Sequence, residues 1–141
     1  MGMIKHNTAQ DRALTSTTAL DKLGDLTMDE NGGMYRYVQA GAAIAQYDAC
    51  IQGTGSYVVI PSSAANQVYL GSAQIACASG SYFWLQISGK RTNKVAVGTA
   101  AGSPLGTNAT AGTLALIDAT AFGGVAGVAV VTGVAAGSEI L

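Results

Sequence analysis

Charge is what this sequence has least of. Charged residues make up 11% of its 141 positions, against about 25% in ordinary soluble domains. The net charge of −1 leaves no field to attract nucleic acid or an anionic membrane. Histidine occurs once, at His6, close to the start of the chain. A Ser-His-Asp or Cys-His centre needs that ring held rigidly beside a nucleophile, so His6 reads as a surface residue of a tail. The two cysteines, Cys50 and Cys77, lie far apart in valine- and alanine-rich stretches. With His6 they have no zinc-ligand spacing. They read as buried free thiols, with a disulfide left open should the protein meet oxidant. Long apolar runs are also lacking. GGVAGVAVVTGVAAG (123–137) is broken by glycine and too short to span a bilayer, and MGMIKHNTAQDR at the start has no apolar core of a secretory signal.

The chemistry-bearing patterns are equally thin. In the C-terminal three quarters the carboxylates are Asp48, Asp118 and Glu139. Each stands alone beside a turn or strand end, where closing a turn accounts for it better than acid–base work. GTGSYV (53–58) lacks the third glycine and following helix of a dinucleotide site, and no phosphate-loop GK[ST] occurs. Asn108-Ala109-Thr110 matches a glycosylation acceptor, a triplet common by chance. The expectation is a protein that is not an enzyme and uses no cofactor or metal.

What charge there is sits at one end. Nine charged residues fall within the first 36 positions and six in the remaining 105. The shift puts a boundary near Asn31-Gly32-Gly33, a turn signal, and divides the chain into an N-terminal arm (1–33) and a β-rich domain (34–141). The arm carries Leu14, Leu20, Leu23 and Leu26, but Thr15-Ser16-Thr17-Thr18 interrupts any helical stripe. It reads as extended, with a short helix around 19–23. Four spaced leucines need burial, which favours docking on a partner or a neighbouring copy over a disordered tail. A charge-poor surface points the same way, because free monomers rely on charge to stay apart. A Gly/Ala-rich domain kept soluble by Ser, Thr, Asn and Gln is the plainer alternative.

Beyond Gly33 the pattern is of strands. MYRYVQA (34–40) alternates. DACIQ (48–52) and SYVVIP (56–61) flank the turn Gly53-Thr54-Gly55. QVYLGSAQIACAS (67–79) contains Gly71, the mark of a bulge or bend. SYFWLQIS (81–88) follows, then a turn over Gly89-Lys90-Arg91-Thr92-Asn93 and the strand KVAVG (94–98). GTAAGSPLGTNATAG (98–112) reads as loop. GTLALI (112–117), GVAGVAVV (124–131) and SEIL (138–141) complete the set. Short strands at regular spacing with Gly-rich turns give an all-β fold, a small sandwich or barrel. VQAG (38–41) and VAVG (95–98), each followed at the same interval by GSYVVI (55–60) and GTLALI (112–117), hint at two similar lobes.

The strongest single feature is SGSYFWLQISGKRTNK (79–94), with the chain's one tryptophan. On a strand Phe83, Leu85 and Ile87 share an apolar, core-facing side, and Tyr82, Trp84 and Gln86 share the other. Rings with polar tips suit packing first, protein contact second and sugar stacking third. Lys90, Arg91 and Lys94 then read either as the solvated tip of a hairpin or as a grip on an acidic patch. They are too few for nucleic acid.

The order AGAAIAQYDACI (40–51), LGSAQIACASGSYFWLQISGK (70–90), VAVGTAAGSPLG (95–106), TAGTLALI (110–117) and GVAVVTGVAAGSEIL (127–141) resembles capsid decoration, or cement, proteins of tailed bacteriophages. The likeness covers about residues 34–141. Tyr47 departs from it, standing where glycine would be expected before Asp48. The resemblance implies a non-enzymatic viral structural protein on the outer surface of the virion shell. It would bind the major capsid protein, associate as a homotrimer and lay its arm over neighbouring subunits. A head-fibre or tail module that stacks glycan on Tyr82 and Trp84 is the alternative. A hydrolase or lyase around Asp48 and His6 is a further, weaker one.

Overall fold

The computed structural model describes residues 4–5, 8–117, 127–128 and 138–140. His6 and Asp118 lie outside them, as does most of GVAGVAVV. In chain order the elements are β1 (Ile4–Lys5), α1 (Ala9–Arg12), β2 (Leu26–Met28), β3 (Met34–Ala40), β4 (Ala49–Gln52), β5 (Val58–Pro61), β6 (Tyr69–Ser72), β7 (Tyr82–Ser88), β8 (Arg91–Val95), β9 (Pro104–Thr107), β10 (Thr113–Leu116), β11 (Gly127–Val128) and β12 (Ser138–Ile140). The all-β expectation holds: a closed five-stranded barrel is followed by a second five-stranded sheet.

The barrel runs β7-β3-β5-β4-β6 and closes through Ser72 opposite Gln86. β3 and β5 are parallel and the other pairs antiparallel. The second sheet has the order β12-β8-β10-β9-β11, with β8 and β10 parallel. It repeats the barrel strand for strand. Val38 opposite Phe83 in the first lobe becomes Asn93 opposite Ser138 in the second, and Ala40 opposite Val59 becomes Val95 opposite Leu114. Gln52 opposite Val59 likewise becomes Thr107 opposite Leu114. Each second-lobe residue stands 55 positions after its counterpart, as Arg91 does after Arg36. At β6 and β11 the correspondence slips by one residue, beside a bulge at Leu70, next to the glycine that signalled it.

Turns repeat too. Asp48 N–H donates to the Ala45 carbonyl and Ser103 N–H to that of Ala100, both at 3.2 Å. Tyr47 has φ 69° and Gly102 φ 84°; Tyr57 has φ 58° and Gly112 φ 66°. At both left-handed positions the first lobe holds a tyrosine and the second a glycine, the residue that adopts this conformation without steric cost. Position 47 is therefore one where glycine is the unstrained choice.

Hydrophobic residues follow the repeat. The first core gathers Val38, Ala40, Ile44, Cys50, Val59, Ala73, Cys77, Phe83 and Leu85. The second gathers Val95, Leu105, Leu114 and Ile140, the counterparts of Ala40, Cys50, Val59 and Leu85, together with Ala49 from the first lobe. Cys50 and Cys77 are free and buried. Burial pushes the Cys50 thiol well above its ordinary range and Cys77 up to about 11.

Three local expectations change. The segment 98–112 is not loop throughout: β9 lies within it, with Leu105 fully buried. Pro104 disguised it, but proline is tolerated as the first residue of a strand. The turn after β7 is shorter than five residues, because β8 already begins at Arg91. Its polar letters conceal an alternation in which Arg91, Asn93 and Val95 point inward. Finally, the arm's helix is at Ala9–Arg12 rather than around 19–23, capped by Thr8, whose hydroxyl accepts from the Asp11 amide at 3.1 Å. Thr8 lies where the chain can bend; the threonine-rich stretch ahead of 19–23 favours extended backbone.

Candidate interaction site

The arm does not hang free of the body. Past α1 it crosses the outer face of β3 and β7. Ser16 pairs with Tyr82 through two backbone bonds, 3.1 and 2.8 Å. The Leu20 amide donates to the Tyr37 hydroxyl at 3.1 Å. β2 then joins the edge of β3, Leu26 opposite Arg36 and Met28 opposite Met34. Asn31-Gly32-Gly33 is the hairpin turn between them, closed by Asp29, whose Oδ1 accepts from the Asn31 and Gly33 amides at 2.9 and 2.7 Å.

Under the arm lies an aromatic layer. Tyr37 stacks on Tyr82 with ring centroids 6.2 Å apart and tilts against Trp84 at 5.0 Å. Trp84 is 3% exposed. Both faces of β7 are thus buried, one inside the barrel and one beneath residues 14–21. Packing, the first of the three uses expected for this ring, is where the structure places Trp84, and Tyr82 is half-buried beside it. A cavity of about 260 Å³ remains between arm and layer, lined by Leu14, Leu20, Tyr37 and Trp84 among others. Leu14 and Leu20 are themselves 50% and 63% exposed. Leu23 and Leu26 are partly buried. The layer's third ring, Tyr37, was legible in the alternation of β3 only as a face residue. Its importance comes from lying directly opposite Trp84.

The three basic residues do not form one patch. Arg91 is buried. Its Nε donates to the Tyr69 hydroxyl at 2.8 Å and its Nη1 to the Gly89 carbonyl at 2.7 Å. Burial raises the Tyr69 hydroxyl's pKa, and Arg91 pulls against that. Lys94 Nζ donates to Asp48 Oδ1 at 2.5 Å. Asp48 Oδ2 accepts from the Ala45 amide at 2.8 Å, so the expected turn closure is present, and the ion pair ties the two lobes. Lys90 is exposed, at the edge of a polar cavity of about 600 Å³ shared with Asp29, Tyr35 and Gln86. Arg91 and Lys94 therefore serve the lobe–lobe junction instead of a contact surface. Their alternating inward and sideways directions follow from strand geometry, which a turn assignment hid.

Besides the apolar contacts of Ala49 and Tyr69 with the second core, that junction carries many polar bonds. Gln74 spans to Thr92, Nε2 donating to its carbonyl at 2.9 Å and Oε1 accepting its amide at 3.3 Å. Ser72 Oγ donates to Asn93. The Gln67 amide donates to Thr107 Oγ1 at 2.9 Å. Backbone bonds from Ala49 to the Gly112 carbonyl (2.7 Å) and from Gly112 to the Ser62 carbonyl (2.8 Å) finish it.

Among the described residues no three of His, Cys, Asp and Glu come together as metal ligands, and no helix is long and apolar enough to cross a membrane. No protein-family profile matches the chain, and no curated protein matches it.

Proposed function

We propose that this chain is a structural, non-enzymatic protein that binds the outer surface of an assembled tailed-phage capsid and stabilises it, with the major capsid protein as partner and trimers as its assembled form. The observation that carries the reading is the arm. Residues 14–20 are clamped across the aromatic layer yet present Leu14 and Leu20 outward, as a contact element held on a rigid support would. The order of motifs that resembles decoration proteins supports the same conclusion. Cementing then works by mass action, since a ligand that binds only the expanded shell stabilises that state, and a symmetric assembly adds avidity.

The test is co-sedimentation with expanded, undecorated heads. The intact protein is expected to bind saturably. A Leu14→Ser, Leu20→Ser double variant is expected to fold normally and lose at least about tenfold in affinity, roughly the worth of two apolar side chains at an interface. Absence of binding by the intact protein sinks the proposal. The competing glycan platform has little left to stand on, because Trp84 lies beneath the chain's own arm.

A further inference from the structure

The two lobes share a site that is filled in one and open in the other. In each, an arginine stands at the mouth of the lobe's interior, Arg36 on β3 and Arg91 on β8, 55 positions apart. In the second lobe the mouth is plugged from outside. Tyr69 of the first lobe packs on the second core. Its hydroxyl accepts from Arg91 Nε at 2.8 Å, and its ring centroid lies 5.2 Å from the guanidinium. The hydroxyl meets Ser72 Oγ at 2.6 Å, and the neighbouring Gln67 bonds to Thr107, the counterpart of Gln52.

In the first lobe the same mouth is a cavity of about 560 Å³, walled by Val38, Val59, Leu70, Leu85 and Ile87. Arg36 Nε is buried there with no hydrogen-bond partner. A buried donor left unpaired carries an uncompensated desolvation cost, which a suitable acceptor removes. Tyr57 stands on the rim, 5.7 Å from the Arg36 guanidinium. The rim also carries the exposed Ser56 hydroxyl, a group able to accept a hydrogen bond.

The geometry points to the mouth of the first barrel as a docking site for an extended segment of a protein partner that inserts a tyrosine, its ring among the apolar wall residues and its hydroxyl accepting from Arg36 Nε. The filled site within the same chain shows which chemistry this frame takes. The assignment stands independently of shell binding, since it follows from the repeat alone.

The test follows the Arg Nε–H resonances of ¹⁵N-labelled protein during titration with p-cresol, the tyrosine side chain as a free molecule. The Arg36 signal is expected to shift saturably, with p-cresol binding about tenfold tighter than toluene, which lacks the acceptor. Arg36→Met is expected to reduce p-cresol to the toluene level. No shift at Arg36, or equal binding of p-cresol and toluene, overturns the proposal. So does tighter binding of butyrate than of p-cresol, which would make this a carboxylate site. Tyr69→Ala unplugs the second mouth. If the variant folds, a second p-cresol site reporting on Arg91 is expected, and its absence overturns the equivalence. The titration of the unaltered protein decides the matter if it does not fold.

Discussion

The first barrel fills its interior with its own side chains, Phe83 and Leu85 from β7 against Val38, Val59 and Ile44. Among the described residues the second lobe has four counterparts of its own, Val95, Leu105, Leu114 and Ile140, and takes Ala49 and Tyr69 from its neighbour. One strand order thus supports two kinds of core. The first core is drawn from residues 38–85 alone. The second is completed by the first, through Ala49 and Tyr69, hydrogen bonds and the Lys94–Asp48 ion pair. The contrast also separates two uses of arginine: paired and plugged at Arg91, unpaired and open at Arg36.

The largest test of this contrast is in the cores. Phe83→Ala is expected to cost about 4 kcal/mol and to unfold both lobes together. Leu114→Ala is expected to cost about 3 kcal/mol while leaving the near-UV circular dichroism of Trp84, a first-lobe signal, intact past the loss of the second lobe. If the Trp84 signal disappears at the same denaturant concentration as the second-lobe amides become exchangeable, the lobes are a single cooperative unit and the asymmetry is wrong.

The junction comes next. Asp48→Ala removes a carboxylate whose side chain is 6% exposed, bonded to Ala45 and paired with Lys94. Because Lys94 is 30% exposed, solvent screens the pair, and a loss of about 2 kcal/mol is expected. Hydrogen exchange should locate that loss chiefly in β8 and β10. Protection lost equally throughout the first barrel would remove Asp48 from the junction.

The thiols sharpen the comparison by pH. Both belong to the first lobe, and burial holds both above the ordinary value of about 8.5. The unfolded chain therefore releases these protons first, and stability falls as pH rises from about 8.5 towards 11. The loss from Cys50 is about 2 kcal/mol by about pH 10. Chemical denaturation at neutral and alkaline pH measures it, and Cys50→Ala should flatten the slope. An unchanged slope in that variant would assign the effect to other groups.

The smallest effect is conformational. Gly102 has φ 84° with nothing near the space a side chain would occupy. Gly102→Ala is therefore expected to cost about 1 kcal/mol through backbone strain alone. A neutral result in thermal melting would show that the second lobe's turn tolerates a side chain as the first lobe's does at Tyr47.

Much of this architecture was legible beforehand. Alternation located β3 to the residue, and turn residues placed the hairpin of β4 and β5. The bulge near Gly71 and the buried free thiols also came from residue type and context. So did the hint of two lobes, but two residues out of phase, at a spacing of 57 rather than 55. A slip of two keeps every side chain on its own face, so hydrophobic pattern cannot choose between the two spacings. Identity does not help, since between 34–62 and 89–117 only Arg36 with Arg91 and Ala45 with Ala100 agree. The candidate site was less legible. Trp84 was ranked first as a packing residue, but the arm that covers it, the inward direction of Arg91 and the pairing of Lys94 depend on which strands lie opposite one another.

The sequence by itself determined the all-β class, the lack of a recognisable catalytic or ligand motif and most strand positions, because these follow from periodicity and residue chemistry along the chain. Only the tertiary structure decided the register of the repeat, the plug of the second lobe by the first, and the difference between Arg36 and Arg91. Those depend on hydrogen bonds and contacts between residues far apart in sequence, where a guanidinium is finished or left open by a partner that no local pattern names.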